Sequence, residues 1–187
     1  YLKSRGLGDV YKRQQCNAPA LPPGVDYAGI AAGEGHTLAR RSDGSVIAWG
    51  DDTQGQCNVP VLPAGLEASQ VAAGRLHSVA RLSDGSVIGW GQSYEGQCNA
   101  PALPPGLTYV ELDAGGYHTI GRRSDGSVVA WGSNMWGQCN VPALPGGISY
   151  VECRSMPRRW EDWCLNGYNL LLYGVTATAP SRLQSEA

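Results

Sequence analysis

Four cysteines, Cys16, Cys57, Cys98 and Cys139, stand 41 residues apart. His36, His77 and His118 keep the same step, as do Trp49, Trp90 and Trp131 and the pairs Asp43-Gly44, Asp84-Gly85 and Asp125-Gly126. No insertion breaks this register over three full units. A period of that length leaves few folds open, because each unit is one supersecondary piece that buries its apolar face only against the next copy. The chain holds 26 Gly and 12 Pro in 187 residues. Both are poor in helix interiors, so stacked helices are excluded. With 42% hydrophobic residues and six Trp, the chain is not a disordered one either.

Each unit reads as short strands. Ser-Asp-Gly-Ser lies between two apolar runs, residues 36–39 and 46–49 in the first copy. Asp-Gly supplies the positive φ angles of a tight type I′ turn, which predicts a β-hairpin. A further strand ends at Ala32-Gly33, Ala73-Gly74 and Ala114-Gly115. After Trp-Gly come four variable residues and Gly-Gln-Cys-Asn, read as a turn into an outer strand. Pro-Ala-Leu-Pro-Pro-Gly at 101–106 suits a crossing to the next unit, since Pro blocks ladder pairing. Three or four short strands per unit make one blade of a β-propeller. A solenoid of β-coils has shorter turns and lacks a hairpin in each unit.

These residues carry a family resemblance. Gly-x-x-His-[Thr/Ser], Ser-Asp-Gly-Ser-Val, Trp-Gly and Gly-Gln, recurring in one register, resemble the repeats of the regulator of chromosome condensation family. They are most similar to its short bacterial form, which includes a secreted propeller that inhibits β-lactamases. The resemblance covers about residues 15–153 and implies an all-β fold, a β-propeller of roughly seven blades. The expected units are 16–56, 57–97 and 98–138, with a fourth starting at 139. Residues 15–187 hold only about 4.2 such units, so the chain is expected to be a fragment of a propeller, three full blades plus a partial one.

Both ends depart from the repeat. Residues 4–14, SRGLGDVYKRQ, resemble a translated sequencing adapter, so residues 1–14 are set aside as non-native. Lys3 and Lys12 are the only lysines, which supports that boundary. The native N-terminus, with any signal peptide, is then expected to be missing and the compartment is open. At the other end Tyr150-Val151-Glu152 matches Tyr109-Val110-Glu111, after which the match stops at about Cys153. A frameshift and a degenerate terminal repeat both account for the tail, residues 154–187. Cys153 and Cys164 lie off the cysteine register, and their pairing is left open.

Net charge is −2 and falls to −5 without residues 1–14. That argues against a nucleic-acid partner held through its phosphates. No run of 18 apolar residues offers a membrane span. The three histidines are the only ones in the chain. Their recurrence once per unit fits imidazoles bridging backbone between blades better than a metal site. The in-register cysteines fit small buried side chains, because equivalent points on neighbouring blades lie beyond the ~7 Å Cα limit for a disulfide. Trp49, Trp90 and Trp131 fit inter-blade core. Arg40, Arg81 and Arg122 fit a solvated ladder balanced by Asp43, Asp84 and Asp125. His36 with Asp43 and Ser45 has no nucleophile elbow and is no triad. No catalytic, metal or cofactor residues are therefore assigned.

Function is expected where the copies differ. Between Trp-Gly and Gly-Gln the units read Asp51-Asp52-Thr53-Gln54, Gln92-Ser93-Tyr94-Glu95 and Ser133-Asn134-Met135-Trp136. After Ala-Gly they read Glu34-Gly35, Arg75-Leu76 and Gly116-Tyr117. Strand positions are held by the fold, whereas loops are free to bind. Trp136, Tyr94 and Tyr117 are the anchor types of protein interfaces, with Asp51, Asp52, Glu95 and Arg75 able to steer. The expected function is a non-enzymatic protein-interaction scaffold, an inhibitor or binding module with a protein partner and no cofactor. The alternatives are the family's nucleotide exchange on a small GTPase with chromatin binding, and a propeller lyase or hydrolase.

Overall fold

The computed structural model describes residues 16–143 and 149–155, with the backbone of 170 and 171. The readings of residues 1–14, of Cys164 and of most of the tail lie outside the described residues.

The unit is a three-stranded antiparallel meander repeated three times. The first sheet is β1 (Tyr27–Ala32), β2 (His36–Arg41) and β3 (Val46–Gly50). The second is β4 (Ala68–Ala73), β5 (His77–Leu82) and β6 (Val87–Gly91). The third is β7 (Tyr109–Ala114), β8 (His118–Arg123) and β9 (Val128–Gly132). Register repeats as the sequence does: Leu38 faces Ala48, Val79 faces Gly89 and Ile120 faces Ala130. The first strands β1, β4 and β7 are laid side by side along the inner edge. The described residues are thus all-β and form three blades of a propeller.

Two local expectations change. The Asp-Gly hairpin is not type I′, because no described non-glycine residue has positive φ. Gly44 alone is left-handed, at φ 77°. Its N–H donates to Arg41 C=O at 3.1 Å, and Arg41 N–H donates to Ser45 C=O at 2.8 Å. This is a type I turn followed by a left-handed glycine. Asp43 serves it differently: its Oδ1 accepts from Ser45 N–H (3.0 Å) and Ser45 Oγ (2.6 Å), an Asx bridge. Those bonds hold its carboxyl below the ordinary range. Asp84 and Asp125 do the same with Ser86 and Ser127. The outer strand is also absent among the described residues. Gly-Gln-Cys-Asn closes on itself, with Asn58 N–H on Gly55 C=O at 3.1 Å. The proline crossing then runs as an irregular strut whose Leu62 and Leu103 pack on the core.

Apolar burial lies between blades. Leu38 of the first blade packs with Val71, Ala80 and Trp90 of the second. Ala72 and Val79 pack with Tyr109, Leu112 and Trp131. Trp90 and Trp131 therefore pack on the blade before them. Trp90 and Trp131 are buried, but Trp49 is only partly so. It leans on Tyr27, with ring centroids 6.3 Å apart, and no preceding blade is described beside it.

A polar ladder accompanies this core. Ser78 Oγ donates to Gln56 C=O at 2.8 Å, and Trp90 Nε1–H donates to the same oxygen at 2.9 Å. The hydroxyl has one hydrogen, so His36 Nε2, 3.0 Å away, must be the donor to Ser78 Oγ. The next interface repeats the set with Thr119, Gln97, Trp131 and His77. His36 and His77 thus bridge blades through a hydroxyl, with Nε2 protonated. The buried Nδ1 atoms of His36 and His77 have no partner. Burial pushes both pKa values down, that of His77 to about 3. Gly33, Gly74 and Gly115 are required beneath them, since a Cβ on Gly74 would lie 2.1 Å from His77 Cε1 and 2.6 Å from Gly115 O.

This ladder has a pH consequence. The native state holds His77 neutral, whereas the unfolded chain takes up a proton below its ordinary 6.5. Stability is therefore complete above that value and falls as pH drops from 6.5 toward about 3. Melting followed by circular dichroism from about pH 7.5 to about pH 4 should show a steadily falling Tm, with a shallower slope in His77→Gln.

The fourth unit begins in register and then leaves it. Tyr150 Oη donates to Pro142 C=O (2.5 Å), as Tyr109 does to Pro101 (3.0 Å) and Tyr27 to Pro19 (2.6 Å). Cys153 is buried in the register of Leu112. Strand β10 (Arg154–Ser155) pairs with β11 (Leu170–Leu171), Arg154 opposite Leu171. The repeat would instead put residue 161 there, so the pairing is ten residues out of step.

Candidate functional site

Strand register decides which loops share a face. His36 pairs with Gly50, so the loop entering β2 and the loop leaving β3 sit at the same end of the blade. Asp51 N–H donates to Gly35 C=O at 2.8 Å, and Gln92 and Ser133 repeat this with Leu76 and Tyr117. The Asp-Gly hairpins lie at the opposite end. There Ser42, Ser83 and Ser124 N–H groups donate to Asp26, Glu67 and Thr108 C=O. The loops after Trp-Gly and the dipeptides after Ala-Gly therefore form one surface, the loop face.

Each Trp-Gly loop is built to be rigid. The buried Gln56 side chain accepts from Gln54 N–H (2.8 Å), and Gln97 and Gln138 accept from Glu95 and Trp136 N–H (3.0 and 2.9 Å). Asp52, Ser93 and Asn134 side chains accept from Cys57, Cys98 and Cys139 N–H. The thiols of Cys57 and Cys139 donate to Asp51 and Ser133 C=O at 3.3 and 3.2 Å. Burial pushes both up to about 11, so they stay protonated. On this frame Tyr94 is 84% exposed, Met135 75% and Trp136 57%.

The loop charges differ in how far they are committed. Asp51 accepts from Thr53 N–H, Thr53 Oγ1 and Gln56 Nε2, which makes it a brace of its own loop. Asp52 uses one oxygen on Cys57 N–H and is exposed, as is Glu95. Arg75 is brought together with two residues of neighbouring blades. Its Nε lies 2.6 Å from Glu34 Oε2, its Nη1–H donates to Tyr117 Oη, and its guanidinium stands 5.3 Å from the Tyr117 ring centroid. Glu34, Arg75 and Tyr117 thus form a bridge across three blades, with Tyr117 half-buried beneath it.

The arginine row does not form the expected ladder, because Asp43, Asp84 and Asp125 are taken by the turn serines. Arg122 instead pairs with Glu111 of β7 at 3.0 Å, and Arg40 Nη2 donates to Ala28 C=O at 3.2 Å. Among the described residues no three His, Cys, Asp or Glu side chains group as a metal site. No helix there is long and apolar enough to cross a membrane.

Sequence reasoning missed three sets of residues: Gln56, Gln97 and Gln138; Ser78 and Thr119; and Gln70 and Glu111. The first two recur at the 41-residue step, a signal that could have found them. Their key partners are backbone amides and carbonyls, which a sequence does not display.

Comparison with known proteins agrees with this geometry. The model of the regulator of chromosome condensation (RCC1) repeat matches residues 27–56, 68–97 and 109–138. No curated protein matches the chain. Among solved structures, Prp20p from Saccharomyces cerevisiae, described with its binding to Gsp1p and histones, aligns at TM-score 0.58 and 24% identity. That alignment covers 69% of this chain and 36% of Prp20p. Yeast RCC1 (Prp20) bound by Kap60 aligns at 0.57 and 23%, covering 69% and 35%. Human WBSCR16 aligns at 0.60 and 17%, covering 72% and 46%. The chain spans between about a third and a half of the length of these structures. Three repeats in one register, each folded as one three-stranded blade, make the described chain an array of RCC1 repeats on a β-propeller.

Proposed function

We propose that this chain is a non-enzymatic protein-interaction scaffold whose partner docks on the loop face. The observation that carries the reading is the exposure of Tyr94, Met135 and Trp136 on loops otherwise locked by buried glutamines. Rigid aromatic side chains lose little entropy on docking and anchor interfaces. The face is also acidic. Glu34, Asp51, Asp52 and Glu95 stand against one cation, Arg75, which Glu34 neutralises. A partner surface with a basic rim around apolar pockets fits that pattern. An inhibitor and a binding module both use such a face.

The test is capture with the immobilised chain, followed by variants of the captured pair. Tyr94→Ala with Trp136→Ala should abolish capture, while Asp26→Lys with Glu67→Lys on the hairpin face and Val61→Ser on the exposed strut should retain it. Capture kept by the first pair and lost with the second would place the partner on the opposite face.

A further inference from the structure

The inner strands carry a side-chain clamp that one blade lacks. Gln70 of β4 reaches the inner edge of β7: its Nε2 donates to Leu112 C=O at 2.8 Å, and its Oε1 accepts from Leu112 N–H at 3.0 Å. One unit on, Glu111 repeats the accepting half, taking Cys153 N–H at 3.2 Å, and its carboxylate also pairs with Arg122. One unit back, the same position is Gly29, which has no side chain. Val71 stands opposite Ala80 as Leu112 stands opposite Gly121. Its N–H and C=O are therefore turned to the inner edge in the same way, where Leu112 meets the amide of Gln70. Val71 lines the cleft at this edge, so its backbone pair is open to a partner there.

The glycine is not demanded by the backbone. It has no positive φ, and a Cβ there would meet only Arg40 Cβ and Nε at 3.8 Å, ordinary contact. The notch opens on a cleft of about 620 Å³ lined by Ile30, Gln70, Val71, Leu112 and Asp113. A group that satisfies N–H and C=O together must present an acceptor and a donor side by side. A carboxylate lacks the donor, and an ammonium or guanidinium lacks the acceptor. We propose that the notch between the first two blades is a binding site for a primary carboxamide, the Gln or Asn side chain of a partner segment entering the cleft. The cleft runs up to Glu34, Arg75 and Gly116 of the loop face, but the notch uses none of these residues, so its test is independent of the loop-face reading.

The test is a titration of the ¹⁵N-labelled chain with propionamide and with propionate, read at backbone amides. Propionamide should shift Val71 and its neighbours saturably, and propionate, which can meet only the N–H as Glu111 meets that of Cys153, should do so several-fold more weakly. Gly29→Gln supplies the clamp from within. It should abolish the propionamide response and raise Tm by about 2–4 °C, whereas Gly29→Ala keeps the response. Equal shifts from both probes, no shift at Val71, or an unchanged response in Gly29→Gln would each overturn the assignment. The two-probe comparison on the parent chain decides the matter even if a variant folds poorly.

Discussion

Trp131→Ala should lower the unfolding free energy by about 3–5 kcal/mol, the range for deleting a large buried aromatic. In a chain of this size that is a fall in Tm on the order of 10 °C. The indole is buried in the cluster that joins the second blade to the third, 5.8 Å from the Tyr109 ring centre, and its Nε1–H is bound to Gln97 C=O at 3.0 Å. Truncation opens a cavity between blades and removes one of the two donors on that carbonyl; Thr119 Oγ1 keeps the other. Trp49→Ala is the matched control. The same residue in the same register is only partly buried, so its loss should cost no more than about 1–2 kcal/mol. Chemical denaturation of both variants measures the difference. Equal costs would mean that stability resides within each blade rather than between blades.

The contrast between these tryptophans shows where the repeat is informative. Strand order, hairpins and the burial of Trp90 and Trp131 were legible, because the 41-residue step forces equivalent residues into equivalent packing. The step says nothing of which neighbour a residue packs on, so the partial exposure of Trp49 was not legible. Turn chemistry was half legible. Asp-Gly marks the hairpin, but whether Asp takes positive φ or uses its carboxylate on Ser45 depends on a hydroxyl two residues later. Of the site, the loop composition was legible and its electrostatics were not. Arg75 reads as a steering charge until its bond to Glu34, 41 residues earlier, and its contact with Tyr117, 42 residues later, are seen. Asp51 reads as a rim charge but braces its loop.

Tyr94→Ala and Trp136→Ala should each weaken partner binding by about 2 kcal/mol or more, roughly 30-fold in Kd. Both side chains project from loops whose backbone is fixed by Gln97 and Gln138, so truncation removes contact area without loosening the frame. The unbound variants should melt like the parent chain. Asp52→Asn and Glu95→Gln should act differently, slowing association and flattening its salt dependence with little change in dissociation. Surface plasmon resonance with the captured partner separates the two classes. Aromatic variants that change only the association rate would show that these rings are not anchors.

Hydrogen exchange of the bound complex reads the docking face directly. With the partner bound, amides of residues 51–56, 92–97 and 133–138 should gain protection, while those of the hairpins at 42–45, 83–86 and 124–127 should exchange as in the unbound chain. Protection confined to the hairpins, with the three Trp-Gly loops unchanged, would contradict the assignment of the loop face as the partner surface.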